Sequence, residues 1–467
     1  MEVRVRGKRL ADFARAVRMG RRDLAASGAL GGAELRQLQQ ERFADLVRSA
    51  VAGSRFYREL YRGVDTRVVR PTDLPSVTKA QLMERFDDWV TDPRLERAGL
   101  EAHLERLDGD RLYLRKYRVV ASSGSTGRRG VFVFSPDEWL VNLGNFCRVN
   151  EQILDVHPRW PRVRAASVGA TDPLHVSART SLAAGVGVNR VLRLDARQPL
   201  ADLVAALDAF QPEVLFGYPS ILALLADVQR SGRLHIRPEK VTTLSEVRTP
   251  EMEALIRAAW GTAPYNWYGI SEGGVLAADC SRHQGMHVLE DLFLVENVDE
   301  AGRPVPDGVI GHKLLLTNLF NRTQPMIRYE LSDMVALESG ECACGRSLRR
   351  VVAIEGRTSE IVRFPAAAGG EVAVHPFTLE SPFTEMPDVL QYKLVHEPTV
   401  LRVLVVARED GARDAIARRI ADTMVGALVA AGAIPPPVRV ELLEALDRDQ
   451  GHGAKFKLIE SRVGAAP

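Results

Sequence analysis

Residues Ala121–Gly130 read ASSGSTGRRG: three glycines, three serines, a threonine and two arginines in ten positions. Such a stretch makes a poor core and a plausible anion cradle. Glycine lets backbone N–H groups turn toward a phosphate, and the hydroxyls add donors without bulk. A polar surface loop has the same composition, so the stretch alone leaves both readings open. The loop does not match G-x-G-x-x-G, and no G-x-x-x-x-G-K-[ST] spacing occurs anywhere in the chain.

Four further blocks bring ionisable groups: NWYGISEGG at Asn266–Gly274, QPMIRYELSDM at Gln324–Met334, IEGRTSEIV at Ile354–Val362 and GHGAKFKLIESR at Gly451–Arg462. They supply Glu272, Asp333, Arg357 and Lys455. Taken singly, Glu272 reads as a cap or surface carboxylate, Asp333 as a turn residue and Lys455 as solvated surface. No Ser-His-Asp or Cys-His arrangement is convincing, and GYPS at Gly217–Ser220 is no G-x-S-x-G elbow. Cys280, His287, Cys342 and Cys344 would complete a tetrahedral zinc site, with His283 a competing nitrogen. The same thiols would serve equally as small buried hydrophobes, which is the reading for Cys147.

In order, spacing and sequence, these blocks resemble the adenylate-forming superfamily. Within it they look most like the phenylacetate–coenzyme A ligase family and its capsule-biosynthesis-type relatives, from roughly residue 70 to the end. The resemblance implies an α/β fold: a large adenylation domain with mostly parallel sheets covered by helices, and a small mobile α+β domain carrying the late lysine. It also implies a reaction. Mg·ATP and a carboxylic acid, aryl or arylacetic, give acyl-AMP and pyrophosphate, and coenzyme A then accepts the acyl group. Ser122, Ser123, Gly124, Ser125, Thr126 and Gly127 would wrap the β- and γ-phosphates. Ser245, Glu246 and Val247 would pack against adenine, Asn266 would bond its amino group, and Tyr268 would stack on the ring between Trp267 and Gly269. Ser271 would touch the α-phosphate, and Glu272 would hold Mg²⁺, a hard cation suited to carboxylate oxygen. Asp333 would accept from the ribose hydroxyls, Arg357 would begin the hinge, and Lys455 would bridge the substrate carboxylate and the α-phosphate.

For the acid pocket the resemblance points to Ala166–Thr180, with His175, Tyr218, Trp267 and Gly273 as candidate walls. Some relatives carry a metal on the pattern that Cys280, His287, Cys342 and Cys344 repeat. Two departures stand out. Arg128-Arg129 replaces the usual Lys-Pro of the loop, and Ser359 stands where the family has an acidic hinge residue. Ser359 keeps open an amine, a hydroxyl or a carrier-protein thiol as the acyl acceptor. A non-catalytic nucleotide-binding homologue is the rival from another class, and the joint presence of Glu272, Asp333 and Lys455 argues against it.

These residues need a scaffold, and the hydrophobic pattern outlines one. Residues 33–51 form an amphipathic helix, with Leu35, Leu38, Phe43, Leu46, Val47 and Ala50 on one face. Val163–Val168, Val191–Leu194, Val214–Phe216 and Val241–Leu244 read as strands. They alternate with helices over Pro199–Phe210, Pro219–Arg230 and Pro250–Trp260, each with proline in its first turn. That alternation predicts a largely parallel sheet. Val389–Val395, Val400–Val406, a helix lined by Ile416, Ile420, Met424 and Leu428, and Val438–Leu443 make a small α+β unit. The glycine-rich FPAAAGGE supports a division into residues 1–357 and 358–467.

Composition excludes several classes. The chain has 467 residues, 46% hydrophobic and 26% charged, as in ordinary soluble domains. Lys+Arg 62 against Asp+Glu 60 leaves +2, no electrostatic case for nucleic acid. Val400–Ala407 and Val425–Ile434 are far too short to span a membrane. The arginine-rich start is broken by Glu2, Asp12 and Asp23 and lacks serine until Ser27, so it reads as a solvated helix face, not a transit peptide. Four cysteines argue against a disulfide framework and for the cytosol. The expectation is a cytoplasmic ligase whose partners are a small acid and coenzyme A or another acceptor. Nucleic acid and membrane are not expected, and the relatives suggest a homodimer.

Overall fold

The computed structural model describes residues 2–122, 129–152, 162–184, 189–383, 386, 388–408, 413–448 and 456–463. Nine strands make the central sheet: β1 Arg164–Gly169, β2 Arg190–Asp195, β3 Val214–Gly217, β4 Lys240–Leu244, β5 Tyr265–Ile270, β6 Gly274–Asp279, β7 Met286–Val288, β8 Asp333–Glu338 and β9 Arg350–Arg357. Their spatial order is β8-β9-β7-β6-β5-β4-β3-β1-β2. The run from β2 to β5 is parallel throughout. It coincides with the strand–helix alternation in the sequence, because parallel neighbours need a crossover. From β5 onward the pairs are antiparallel. A three-residue connection between β5 and β6 permits nothing else.

Local chemistry sets the crossover helices. Thr249 accepts a hydrogen bond from Met252 N ahead of Pro250 at the first helical position, and Gly261 closes Pro250–Trp260 at φ 70°. Pro219 likewise opens Pro219–Arg230. Leu203, Leu207, Ile221, Leu222, Leu225 and Ile256 from these helices bury against β1, β3 and β4 in one core. The helix Gly32–Gly53 buries Leu35, Phe43, Leu46, Val47 and Ala50 in a larger one. A third core gathers residues between Val362 and Ile459 around a four-stranded sheet and the helix Arg413–Ala430, which buries Ile416, Ile420, Met424 and Leu428.

The glycine-rich loop sits on a two-stranded hairpin, Arg118–Ala121 with Val131–Phe134, whose second strand is fully buried. Among the described residues, no helix is long and apolar enough to cross a membrane.

Candidate active site

The strand ends of β4, β5 and β9 and the segment Phe456–Leu458 enclose a cleft of about 1020 Å³. Ser245 enters it at the end of β4 in a left-handed conformation, φ 71°. For a non-glycine residue that costs about 1–3 kcal/mol, which the surroundings must hold in place. Glu246 and Val247 line the same wall, but the Glu246 carboxylate is occupied. It accepts from Ser220 Oγ at 2.6 Å, pairs with Arg448 at 3.3 Å, and accepts from Phe456 N at 2.5 Å. Adenine packing was the expected role; the geometry is a clasp that pins the residue after Lys455. Lys455 itself and Ser123, Gly124, Ser125, Thr126 and Gly127 lie outside the described residues.

On β5, strand alternation separates what the sequence reading grouped. Asn266 and Tyr268 line the cleft, and Asn266 Oδ1 accepts from Thr243 Oγ1 at 3.0 Å. The Trp267 ring points the other way and packs against Phe146 and Phe216, centroids 5.8 and 5.4 Å away. Asp333 opens β8 directly across the ladder from Arg357, whose Nε donates to it at 3.2 Å. Tyr268 is buried beside this pair, and burial pushes its phenol well above the usual range. Arg357 N donates to the Glu360 carboxylate, and Ser359 lines the cleft next to it.

Glu272 follows β5 and is buried. Burial raises its carboxyl pKa, and the Lys79 ammonium opposes that rise most strongly. Lys79, which the sequence reading passed over, donates to Ser122 Oγ at 3.1 Å. Ser122 Oγ also accepts from Gly130 N at 2.9 Å, so the lysine sits at the base of the loop. A Cβ on Gly130 would meet the Lys79 stem at 3.0 Å, so this glycine makes room for it. Burial lowers the Lys79 pKa while Glu272 raises it, yet no carboxylate lies within ion-pair distance among the described residues. A sequence signal was available. Lys79 occupies the first turn of a helix capped by Thr78 and Gln81, the end where the helix dipole disfavours a cation.

A second cavity, about 210 Å³, lies across the sheet face from β5 to β2. Ser271, His175, Tyr218, Trp267 and Gly269 line it, and Gly269 and Trp267 also border the cleft. Ala170 N donates to the Tyr218 hydroxyl at 3.0 Å, fixing the ring beside Gly169. Gly273 lines neither cavity and is corrected here: a Cβ there would sit 2.6 Å from the Phe293 ring, so the position is a packing contact.

Cys280, His287, Cys342 and Cys344 bring one ligand atom each within 4.8 Å of one another. Cys280 and Cys342 sulfurs are 3.8 Å apart, and Cys344 Sγ is 3.3 Å from His287 Nε2. Tetrahedral zinc with ordinary bond lengths would set these edges at about 3.8 and 3.5 Å. Burial pulls His287 down to about 4, which keeps the ring neutral, the form that ligates. His283 instead holds Asp279 at 2.8 Å and stays out of the cluster.

No family model matches the chain. It is 29% identical to a phenylacetate–coenzyme A ligase of Thermus thermophilus over 386 residues, 78% of each chain. It is 22% identical to protein CapK of Staphylococcus aureus over 320 residues, 66% of this chain and 64% of the other. The crystal structure of 2-hydroxyisobutyryl-CoA ligase in the postadenylation state superposes with a TM-score of 0.72 at 19% identity, covering 93% of this chain and 91% of that one. The fold is that of the adenylate-forming ligases. In sequence the chain is similar to phenylacetate–coenzyme A ligase.

Proposed function

We propose that this protein is an AMP-forming acid–thiol ligase, which activates a carboxylic acid as acyl-AMP and passes the acyl group to coenzyme A. One observation carries the reading: Asp333 and Arg357 line the cleft beside Phe456, the residue after Lys455, and Lys79, held on Ser122, is near enough to Glu272, Asp333 and Arg357 for their charges to act on its ionisation. A carboxylate attacking an anionic phosphorus must overcome charge repulsion, and donors fixed in a water-poor cleft do that best. Lys79 and Ser122 face the β,γ end, Asp333 takes the ribose hydroxyls, and Asn266 the adenine edge. Lys455, outside the described residues, would serve the α-phosphate and the incoming carboxylate, as the sequence resemblance implies.

Glu272 would hold Mg²⁺, and a buried carboxylate without a close ion-pair partner fits a hard cation. When bound, the metal would neutralise phosphate charge. The acid lies in the second cavity, whose aromatic floor suits an aryl or arylacetic side chain. The hinge begins at Arg357, between a large domain of residues 1–357 and a small one of 358–467. The Cys280, His287, Cys342 and Cys344 cluster holds a structural zinc.

The test is acid-dependent pyrophosphate release over aryl, arylacetic, amino-aryl and aliphatic acids, with and without coenzyme A. Release followed by an acyl-CoA mass supports the full reaction. Release without a thioester would move the second step to an amine, a hydroxyl or a carrier-protein thiol. No release despite tight Mg·ATP binding would overturn the enzymatic reading.

A further inference from the structure

The floor of the second cavity is one face of the parallel half-sheet. Trp267 and Gly269 on β5, Phe216 on β3, Ser167 on β1 and Arg193 on β2 all line it. Ser167 is in register with Phe216 on one side and with Arg193 on the other. From β5 to the edge strand β2 is four strand spacings, about 19 Å. The row therefore runs from the cleft, where the carboxyl group reacts, through two aromatic rings to an arginine at the far end.

Besides the Cys147 thiol and the Tyr218 phenol, three ionisable residues line this cavity: Glu151, His175 and Arg193. Glu151 is committed to Arg21, which donates to both of its oxygens at 2.7 and 2.9 Å. Arg193 has no acid partner among the described residues. Its Nε donates to Ser181 Oγ at 3.0 Å and its Nη2 to the Ser181 carbonyl, while Nη1 has no protein acceptor there. The guanidinium is half-buried, and burial holds its pKa below the usual value, with no neighbouring carboxylate among the described residues to compensate. A cation taken partly out of water and left without a counter-charge is costly unless something completes it. Two neighbours on the same strand face show the contrast: Asp195 is taken by Arg197 and Thr171, and Val191 is apolar.

We infer that the acid substrate carries an oxygen acceptor, a hydroxyl or a second carboxylate, at the end remote from the reacting carboxyl group, and that Arg193 binds it. This rests on the ligase reading above. The volume agrees, since about 210 Å³ exceeds the roughly 150 Å³ void that holds benzene, leaving room for one ring and a substituent. A planar fork of donors suits a carboxylate through two bonds and a hydroxyl through one.

The experiment compares acid-dependent pyrophosphate release for arylacetic acids bearing a methyl, a hydroxyl or a carboxylate at the ring position opposite the side chain. The expected result is a kcat/KM for an oxygenated acid about 10- to 100-fold above the methyl compound, because a site built to bond oxygen rejects the analogue lacking it. A larger gain for the carboxylate identifies a diacid, and a larger gain for the hydroxyl a phenolic acid. In Arg193→Met that ratio should fall to near one, while Arg193→Lys should keep part of it. Both variants are checked for Mg·ATP binding, so that a folding defect is not read as lost specificity. Release with equal efficiency for all three acids, or an unchanged ratio in Arg193→Met, overturns this inference and leaves the ligase reading standing. Release with no acid of any class overturns both.

Discussion

Two sets of buried charges in this molecule are built on opposite plans. Arg148 and Asp291 are almost completely buried, at 3% and 0% exposure, and 2.8 Å apart. Both Asp291 oxygens are used: Oδ2 accepts from Ser27 and Arg148, and Oδ1 accepts from Arg148. Arg148 also donates to the Leu24 carbonyl and to Asn145, tying the N-terminal helical region to the body of the domain. Near Asp333, at the edge of the candidate site, Lys79 and Glu272 influence each other's ionisation but do not close into an ion pair. A satisfied pair is a fastener. Charges held near each other but apart are a site waiting for a third party, here polyphosphate and metal.

The comparison breaks first if Lys79 and Lys455 prove dispensable. Lys455→Ala should lower adenylation about 10³-fold while leaving Mg·ATP binding measurable, and Lys79→Met should cost about 10²- to 10³-fold, the range for a lost donor to developing charge. Isotope exchange between pyrophosphate and ATP reads both without involving coenzyme A. A Lys79→Met enzyme within twofold of the parent would make Lys79 a surface stem and not a phosphate ligand.

Asp291→Ala should behave in the reverse way. Removing one partner of a buried pair leaves an uncompensated charge, costing about 3–5 kcal/mol of stability. The folded fraction should keep its kcat at low temperature, read by denaturant titration beside an activity assay. A large kcat loss with unchanged unfolding would place Asp291 in the site and erase the distinction.

A smaller effect is expected at the four-ligand cluster. Metal analysis should find one zinc per chain, and Cys344→Ser should reduce that occupancy and lower the melting temperature, while pyrophosphate release from the remaining folded protein persists. A full-length protein free of metal and unaffected by chelator would return these cysteines to the role of small buried hydrophobes.

How much of this was legible beforehand divides along the same line. The parallel half-sheet could be read because Val214–Gly217 and Lys240–Leu244 are short apolar runs separated by helices with proline starts. The antiparallel half was not, since β7 is only Met286–Val288 and β9 is interrupted by register shifts against β8, too short or irregular for a period-two signal. At the site, residues inside a recognisable block were found, whereas Lys79, Arg448 and Arg193 were not. Lys79 and Arg448 stand in segments whose local sequence looks like an ordinary charged surface, and Arg193 is a single charge within an apolar run that reads only as a strand. Trp267 shows the limit of block reading: neighbouring residues of one strand serve opposite faces.

The subtlest test concerns Glu272 without nucleotide. Burial raises its folded-state pKa above the ordinary glutamate value, so folding without ligand disfavours the charged form relative to water. The sign follows from linkage: its contribution to stability is fully present below the unfolded pKa and is lost as pH rises through the raised folded value. Glu272→Gln removes that titration while keeping the shape. The variant should therefore unfold at a higher temperature than the parent at pH 8 without ligand, and the two curves should converge as pH falls toward the ordinary glutamate range. Mg·ATP should reverse the order at pH 8, because the carboxylate then has the cation it lacked. Melting curves that differ by the same amount at every pH would show that Glu272 is not the titrating group, and with that the cleft would lose its clearest contrast with the Arg148–Asp291 pair.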